Sequence, residues 1–291
     1  MYTQIASNKR KSLLLVFGFV ALVAVLDYVF ARAFNQPSLF VPIVIAAIVY
    51  AAISYFFSAQ IALGMSGAQP IEKKDAPDLY RAVENLTIAA GLPMPKVYII
   101  DDPSPNAFAT GRDPNHAVVC VTSGILPLLE KDELEGVLAH ELSHVGNYDI
   151  RFMAIVVALV SVVAVISDLF LRVSFWNRNS REEGNQLFFI LGIIGALLAP
   201  LVAALIQFAV SRQREYLADA SGALLTRYPE GLARALQKIS KNPEPMQHAN
   251  SATSPLYISS PLKGRSLAGL FDTHPPIEER IKRLREMEIH Q

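Results

Sequence analysis

The sequence predicts a multi-pass α-helical membrane protein whose polar parts have an α+β fold. Hydrophobic residues make up 52% of the 291 residues and charged residues only 18%, whereas soluble domains average about a quarter charged. The apolar residues concentrate in four long runs. Between these runs, segments with helical periodicity and segments with strand-like alternation carry most of the charge.

Each of the four apolar runs is close to the roughly 20 residues that a helix needs to cross a hydrocarbon core of ~30 Å. The runs are Leu13–Phe34, Leu39–Leu63, Phe152–Phe175 and Leu187–Val210. They divide the chain into an N-terminal membrane part (1–63), a polar segment (64–151), a transmembrane hairpin (152–210) and a second polar segment (211–291). For the first run a cleaved signal peptide is the alternative, because Ala31-Arg32-Ala33 resembles a small-x-small cleavage site.

The distribution of basic residues predicts how these runs are oriented. Seven Lys and Arg residues lie in 64–151 and twelve in 211–291, whereas the loops after the first and third runs hold few. Because cytoplasmic loops carry an excess of Lys and Arg, both polar segments are expected in the cytoplasm. Acidic and basic residues number 26 each, so no basic excess indicates nucleic-acid binding. The sequence does not specify an oligomeric state.

The polar segments are predicted to contain helices and a few strands. Helices are expected over 75–91 (ended by Gly91), 132–145, 211–225, 229–240 and 275–291, and strands over 96–101, 106–110 and 116–121. Asp132 with Glu135 three residues later resembles a capping box at the start of the second of these helices. Residues 242–255 are expected to form a loop, and Cys120, within an apolar stretch, is expected to be buried.

The stretch GVLAHELSHVGNYD, residues 136–149, carries the strongest chemical signal. On a helix His140 and His144 project from one face about a turn apart, which brings two imidazoles within reach of one zinc ion. Glu141 lies beside the first histidine, where it is able to take a proton from an activated water.

A catalytic zinc site has three protein ligands and one open position. The metzincin pattern would need Gly at 147 and His at 150, but the sequence has Asn147 and Ile150 there. Glu215 and Asp219 lie one turn apart on another predicted helix, so Glu215 is a candidate metal ligand and Asp219 a candidate acceptor for a ligand histidine. A solvated acidic pair is the alternative. Two predicted spans separate residues 144 and 215, so both lie on the same side of the membrane.

Four motifs, HELSH, SRQREYLADA, NAFATG and FDTHPP, are interleaved with the four apolar runs. Together they resemble the HtpX family of bacterial membrane zinc metalloproteases, which is related to the CAAX prenyl protease and takes part in membrane-protein quality control. The resemblance covers essentially the whole chain. It implies a cytosolic α+β zincin-like (gluzincin) metalloprotease domain at the inner membrane, with one Zn²⁺ per subunit on His140, His144 and Glu215 and with Glu141 as the base.

The resemblance also implies roles for other residues. Asp219 is expected to support His140, and the strand containing Asn106, Ala107, Phe108 and Ala109 resembles an exposed edge strand that pairs with an extended substrate. His274 either donates to the developing oxyanion or anchors the last helix. Arg212 either orients the carboxylates near Glu215 or faces lipid headgroups.

The expected function is therefore that of a zinc-dependent endopeptidase of the bacterial inner membrane. It would cleave misfolded or damaged membrane proteins on the cytosolic side, with membrane-protein or peptide substrates and the lipid bilayer as its partners. Two alternatives remain open at this point. One is a non-catalytic, zinc-stabilised membrane scaffold or adaptor, and the other is a CAAX-type protease that acts on lipidated peptides.

Overall fold

The computed structural model of the protein describes residues 2–33, 40–160, 212–242, 245–247, 253–261 and 275–288. These residues form helices around one small sheet. The helices are α1 (Tyr2–Ala33), α2 (Phe40–Phe56), α3 (Ser58–Ser66), α4 (Pro77–Ala90), α5 (Ile125–Leu128), α6 (Lys131–Gly146), α7 (Arg212–Thr226), α8 (Pro229–Lys241) and α9 (Ile277–Glu288). A further helical stretch, 149–160, follows α6 after a two-residue turn.

The sheet contains β1 (Gln69–Pro70), β2 (Lys96–Ile100), β3 (Ala107–Thr110) and β4 (Val118–Thr122) in the order β1-β2-β4-β3. β2 and β4 are parallel, whereas β3 pairs antiparallel with β4 and β1 antiparallel with β2. β3 is thus an edge strand of this sheet. The apolar core lies between the sheet and α4, α6 and α8, and it includes Leu79, Val97, Val137, Leu138 and Leu236.

Most of the predicted elements in the polar segments are confirmed. The three expected strands correspond to β2, β3 and β4, and the expected helices correspond to α4, α6, α7, α8 and α9. Gly91 ends α4 in the left-handed conformation, at φ 64°, which glycine adopts without steric cost. Cys120 is buried, and burial raises the pKa of its thiol. The short strand β1 was not predicted, since two residues carry no periodic pattern.

The prediction of the α6 capping box was wrong by two residues. The helix begins at Lys131, and the capping box joins Glu130 and Glu133, with the Glu130 N–H donating to Glu133 Oε2 at 2.8 Å. Asp132 already lies in the first helical turn, so it is not the cap. Glu133 is completely buried and also pairs with Lys238 of α8 at 2.7 Å. The cap therefore fixes the start of α6 against α8 as well.

Two glycines allow α6 to pack closely against its neighbours. A Cβ added to Gly222 of α7 would lie 2.9 Å from the backbone nitrogen of His140. A Cβ added to Gly136 of α6 would lie 2.7 Å from the backbone nitrogen of Leu232 in α8. Neither backbone is able to move away without separating the helices. Glycine is therefore required at both crossings for steric reasons, and the crossing at Gly222 brings α7 against the histidine motif.

The four predicted spans are tested only in part. Among the described residues, no single helix combines the length and the apolar character of a membrane span, whereas the bent pair Val44–Ile53 and Ser58–Ser66 reaches both when its helices are taken together. The third and fourth apolar runs lie largely outside the described residues, which resume at 212. The multi-pass arrangement, together with its division of the chain, thus stays a prediction.

The substitution Gly222→Ala tests the close crossing of α6 and α7. The added methyl group overlaps the His140 backbone, and overpacking of this kind costs about 1–3 kcal/mol. We expect a lower unfolding temperature and a lower metal content in the purified protein. Gly64→Ala is the matched control, since it also lies in a helix but nothing lies within 4 Å of its added Cβ. Equal unfolding temperatures and metal contents for the two variants would show that the crossing tolerates a side chain.

Candidate metal centre

Three side chains from two helices converge at one point. His140 and His144 extend from α6 and Glu215 from α7, and their donor atoms all lie within 4.8 Å of one another. The two Nε2 atoms are 3.3 Å apart. Glu215 Oε2 lies 3.8 Å from His140 Nε2, and Glu215 Oε1 lies 3.5 Å from His144 Nε2. The cluster predicted from the sequence is thus brought together, and it is able to hold a metal ion.

Each histidine has a carboxylate on its other ring nitrogen. His140 Nδ1 lies 2.9 Å from Asp219 Oδ1, and His144 Nδ1 lies 3.0 Å from Asp149 Oδ2. In the neutral tautomer that carries its proton on Nδ1, each imidazole donates to its carboxylate and directs its Nε2 lone pair at the centre of the cluster. Two imidazole nitrogens and one carboxylate oxygen form a donor set of the kind that zinc prefers. The residues present therefore fit the metal that the sequence predicts.

The electrostatic environments of the two histidines differ. Burial lowers the pKa of His140, even though Asp219 opposes the shift. Burial alone would also lower the pKa of His144, but Asp149 and Glu215 outweigh it and raise that pKa to about 9. The cluster thus attracts positive charge at His144, and a metal cation would replace the proton there.

Glu141 is buried at the cleft beside the donor atoms. The cleft is lined by Glu141, by the three candidate ligands, by Ala109 of β3 and by the segment 255–258, among others. Burial raises the pKa of Glu141 to about 7, while a hydrogen bond from the Ala109 backbone N–H of β3 favours its charged form. A carboxyl group with such a pKa is able to accept and return a proton near neutral pH.

No role was predicted for Arg280, which is fully buried in α9. Its guanidinium donates to both oxygens of Asp219, at 2.9 and 2.7 Å, and lies 3.7 Å from Glu215 Oε2. Although burial by itself would raise it, this arginine and His140 hold the pKa of Asp219 at about 2. Arg280 shares the apolar face of α9 with Ile277, Ile281 and Leu284, at helical spacing. A charged residue on that face is the signal that predicts a buried arginine.

Asp149 and Asn8 were also missed. Tyr148 adopts φ 61°, a left-handed conformation that is uncommon for a bulky residue, and the turn that contains it brings Asp149 back to His144. Asn8 of α1 is buried and donates from Nδ2 to Asp149 Oδ1 at 2.7 Å and to the Asn147 carbonyl at 3.0 Å. Asp149 falls five residues after His144, a spacing that sequence inspection can find. Asn8 lies 132 residues before His140 and carries no local signal.

The edge of β3 is not open along its whole length. Asn106, Ala107, Phe108 and Ala109 are all buried, and the Ala107 carbonyl accepts a hydrogen bond from the Ile258 N–H at 2.9 Å. An isolated β-bridge joins Phe108 to Tyr257, and the Asn106 side chain donates to the Ser259 carbonyl at 2.9 Å. A buried edge needs partners for its N–H and C=O groups, and the segment 257–259 supplies them. The substrate-binding role of these four residues stays a prediction.

Two further candidates lie away from the cluster or beyond the described residues. Arg212 is exposed on the first turn of α7, so the arginine that orients Asp219 and lies near Glu215 is Arg280. Arg214 of the same turn is buried and lies 3.9 Å from Asp149 Oδ1. His274 lies outside the described residues, so both of its predicted roles stay open.

Comparison with known proteins agrees with this geometry. The profile of peptidase family M48 matches residues 73–288. A protease HtpX homolog from Tropheryma whipplei (strain Twist) is 51% identical over 287 residues, which cover 99% of this chain and 98% of the relative. One from Dictyoglomus turgidum is 47% identical over 289 residues, covering 98% and 94%.

A solved structure shares the fold. The crystal structure of S. mikatae Ste24p superposes with a TM-score of 0.52 at 22% identity and covers 98% of this chain and 67% of Ste24p. The family profile spans most of the chain and includes both helices of the metal centre. The chain therefore belongs to peptidase family M48 and, within it, to the HtpX proteases, and it is a metallopeptidase.

Proposed function

We propose that the protein is a zinc-dependent endopeptidase of a bacterial inner membrane that cleaves misfolded or damaged membrane proteins from the cytosolic side. The observation that carries this proposal is the convergence of His140, His144 and Glu215 beside the buried Glu141. Three donors with an adjacent buried carboxyl group are the arrangement of a catalytic zinc site rather than of a structural one, which usually fills four positions with Cys and His.

The residues have complementary tasks in peptide hydrolysis. His140, His144 and Glu215 would hold zinc, which in such sites activates water as a nucleophile and polarises a carbonyl group. Glu141 accepts the proton of the attacking water and transfers it to the leaving nitrogen of the peptide. Asp219 and Asp149 keep the two imidazoles in the orientation that presents Nε2. Arg280 keeps Asp219 ionised and fixed in place.

The membrane location is supported by the surface of α1 and α2. Among the described residues, the exposed large hydrophobic side chains lie in 13–57, apart from Ile88, Met94, Leu224 and Tyr228. Exposed apolar side chains concentrated on two helices that pack against each other mark a membrane or protein interaction site. The basic residues of 64–151 and 211–291 favour the cytoplasm for the metal centre.

Of the two alternatives, the non-catalytic scaffold is disfavoured, because the chain belongs to a peptidase family and retains the buried Glu141. A CAAX-type protease would hydrolyse lipidated peptides by the same chemistry. Only the preferred substrate therefore distinguishes this alternative from the proposed function.

The first test is a substrate panel with Glu141→Gln as the control enzyme. We expect the zinc-loaded protein to cleave unfolded membrane-anchored substrates faster than soluble or prenylated peptides, as followed by gel and mass spectrometry. Glu141→Gln should retain zinc but lose about 10²–10⁴-fold in rate, because general acid–base catalysis is removed. Faster cleavage of the prenylated peptide would favour the CAAX-type alternative. An unchanged rate for Glu141→Gln would contradict the role of this residue.

The substitution Glu215→Ala tests the third ligand. Removing the only carboxylate within the donor set should abolish stoichiometric zinc binding, as measured by elemental analysis of the purified protein. Glu230→Ala is the matched control, because Glu230 lies on α8 and pairs with the exposed Arg285 instead. Retention of one zinc per chain by Glu215→Ala would rule out this ligand set.

The substitution Asn8→Ala tests the contact between α1 and Asp149. Loss of the hydrogen bond from Asn8 to Asp149 should weaken zinc binding by less than the roughly 10–100-fold that is usual for losing a group bonded directly to a metal ligand, because Asn8 acts through Asp149. Competition with a chromogenic chelator measures this affinity, and Ser7→Ala on the same turn is the control. If both variants bind zinc as tightly as the unmodified chain, Asn8 has no positioning role.

A further inference from the structure

A second cavity lies away from the metal centre, between α1, α2 and the helical stretch 149–160. Its volume is about 370 Å³. Its walls are mostly apolar and include Leu13, Val16, Ile48, Ala52, Ile155 and Leu159. Leu13 is 58% exposed and Ile48 45% exposed, so the cavity borders the apolar surface that we assign to the bilayer. An apolar chain is therefore able to enter it sideways from the membrane.

One end of the cavity carries two cations. Lys9 Nζ lies 4.6 Å from the centroid of the Tyr148 ring, and the Arg151 guanidinium lies 5.1 Å from the same centroid. Both residues line the cavity. Within the described residues neither has an acidic partner, and Arg151 Nε donates only to the Arg112 carbonyl, at 2.9 Å. An anion within reach of both cations would supply the opposite charge that each lacks among the described residues.

A third polar group points to a ligand independently of the two cations. Ser12 lines the same cavity and is 4% exposed. Its Oγ is buried and has no hydrogen-bond partner among the described residues. A buried hydroxyl without a partner is unfavourable, and an ester or phosphate oxygen of a bound molecule would satisfy it. Ser12 follows Lys9 by three residues, which places the two on one face of α1.

We propose that this cavity binds a phospholipid, with one acyl chain in the apolar part and an anionic headgroup held by Lys9, Arg151 and Ser12. The inference rests on the proposed membrane location. Basic pockets between membrane helices on the cytoplasmic side are a recognised way of binding anionic headgroups. We favour a lipid over a substrate helix because Lys9, Arg151 and the Ser12 hydroxyl together match an anionic group with oxygen acceptors. An acyl chain is much thinner and needs no backbone hydrogen bonds.

The lipid site adjoins the metal centre through two pairs of neighbouring residues. Lys9 follows Asn8, which donates to Asp149, and Tyr148 precedes Asp149. A headgroup on Lys9 and Arg151 thus holds α1 against the turn that positions His144. Lipid binding is therefore expected to strengthen zinc binding as well.

The test uses the full-length protein, stripped of lipid in detergent, and native mass spectrometry to count bound lipids. Phosphatidylglycerol and phosphatidylcholine with identical acyl chains are titrated separately, and inorganic phosphate is added as a competitor. We expect one phosphatidylglycerol to bind saturably, in preference to phosphatidylcholine and undisturbed by phosphate. The double variant Lys9→Gln/Arg151→Gln should bind it about thirtyfold more weakly, since two cations near the headgroup are lost.

Two further variants distinguish the contribution of the lipid headgroup from that of the acyl chain. Arg10→Gln removes a charge from the same turn of α1 without lining the cavity, and it should bind as the unmodified chain does. Ala158→Phe fills the apolar part and should reduce binding of the lipid while circular dichroism shows an unchanged fold. Because Ala158→Phe leaves both cations in place, it tests the cavity even where the double variant fails to fold.

Several outcomes would overturn the inference. The first two are equal binding of phosphatidylglycerol and phosphatidylcholine, and uptake of lipid that does not saturate. The others are equal lipid binding by the double variant and Arg10→Gln, and displacement of the lipid by an equimolar amount of an apolar helical peptide. Alkaline extraction of cell membranes tests the location separately. A chain that stays in the membrane but shows no lipid preference contradicts the lipid site alone, and a chain that is extracted contradicts the proposed location.

Discussion

The metal centre depends on the close crossing of α6 and α7 at Gly222. At this crossing α7 lies against the backbone of His140, where a side chain larger than hydrogen does not fit. From Gly222 towards the start of α7, Asp219 meets the Nδ1 atom of His140 one turn away, and Glu215 meets the Nε2 atoms two turns away. A wider separation of the helices would remove both contacts of His140, that of Nε2 with Glu215 and that of Nδ1 with Asp219. The histidine motif alone therefore does not make the site.

Burial of the surrounding charges explains why the site suits a divalent cation. Four buried carboxyl groups and two buried guanidinium groups surround the cluster: Glu141, Asp149, Glu215, Asp219, Arg214 and Arg280. In the form that binds metal, with both histidines neutral and all four carboxyl groups ionised, these groups carry a net charge of −2. Uncompensated buried charge is costly, and a divalent metal ion would cancel it. Arg280 is suited to this setting because its planar guanidinium bonds to both oxygens of Asp219.

What the sequence could predict depended on how far apart in the chain the partners lie. His140, Glu141 and His144 follow one helical pattern, and Asp219 was expected from its spacing to Glu215, so local periodicity was sufficient for these residues. Asn8, Arg280 and the segment 257–259 reach the site from distant parts of the chain, and only tertiary packing brings them there. The partial cover on the edge of β3 could not be predicted for the same reason, since the strand's own pattern does not show that the segment 257–259 lies against it.

The involvement of Asn8 gives α1 a role that an anchor alone would not have. α1 is one continuous helix of 32 residues, about 48 Å long at 1.5 Å per residue, with exposed apolar side chains beyond the turn that contains Asn8. A helix of this kind moves as a unit, so a shift of its apolar part relative to the rest of the protein would displace Asn8 as well. Since Asn8 bonds to Asp149 and Asp149 to His144, such a shift would reach this candidate metal ligand within two contacts. The contact thus links the position of α1 to the geometry of the metal centre, and in a membrane-bound peptidase it would favour an ordered site only when this helix is correctly docked.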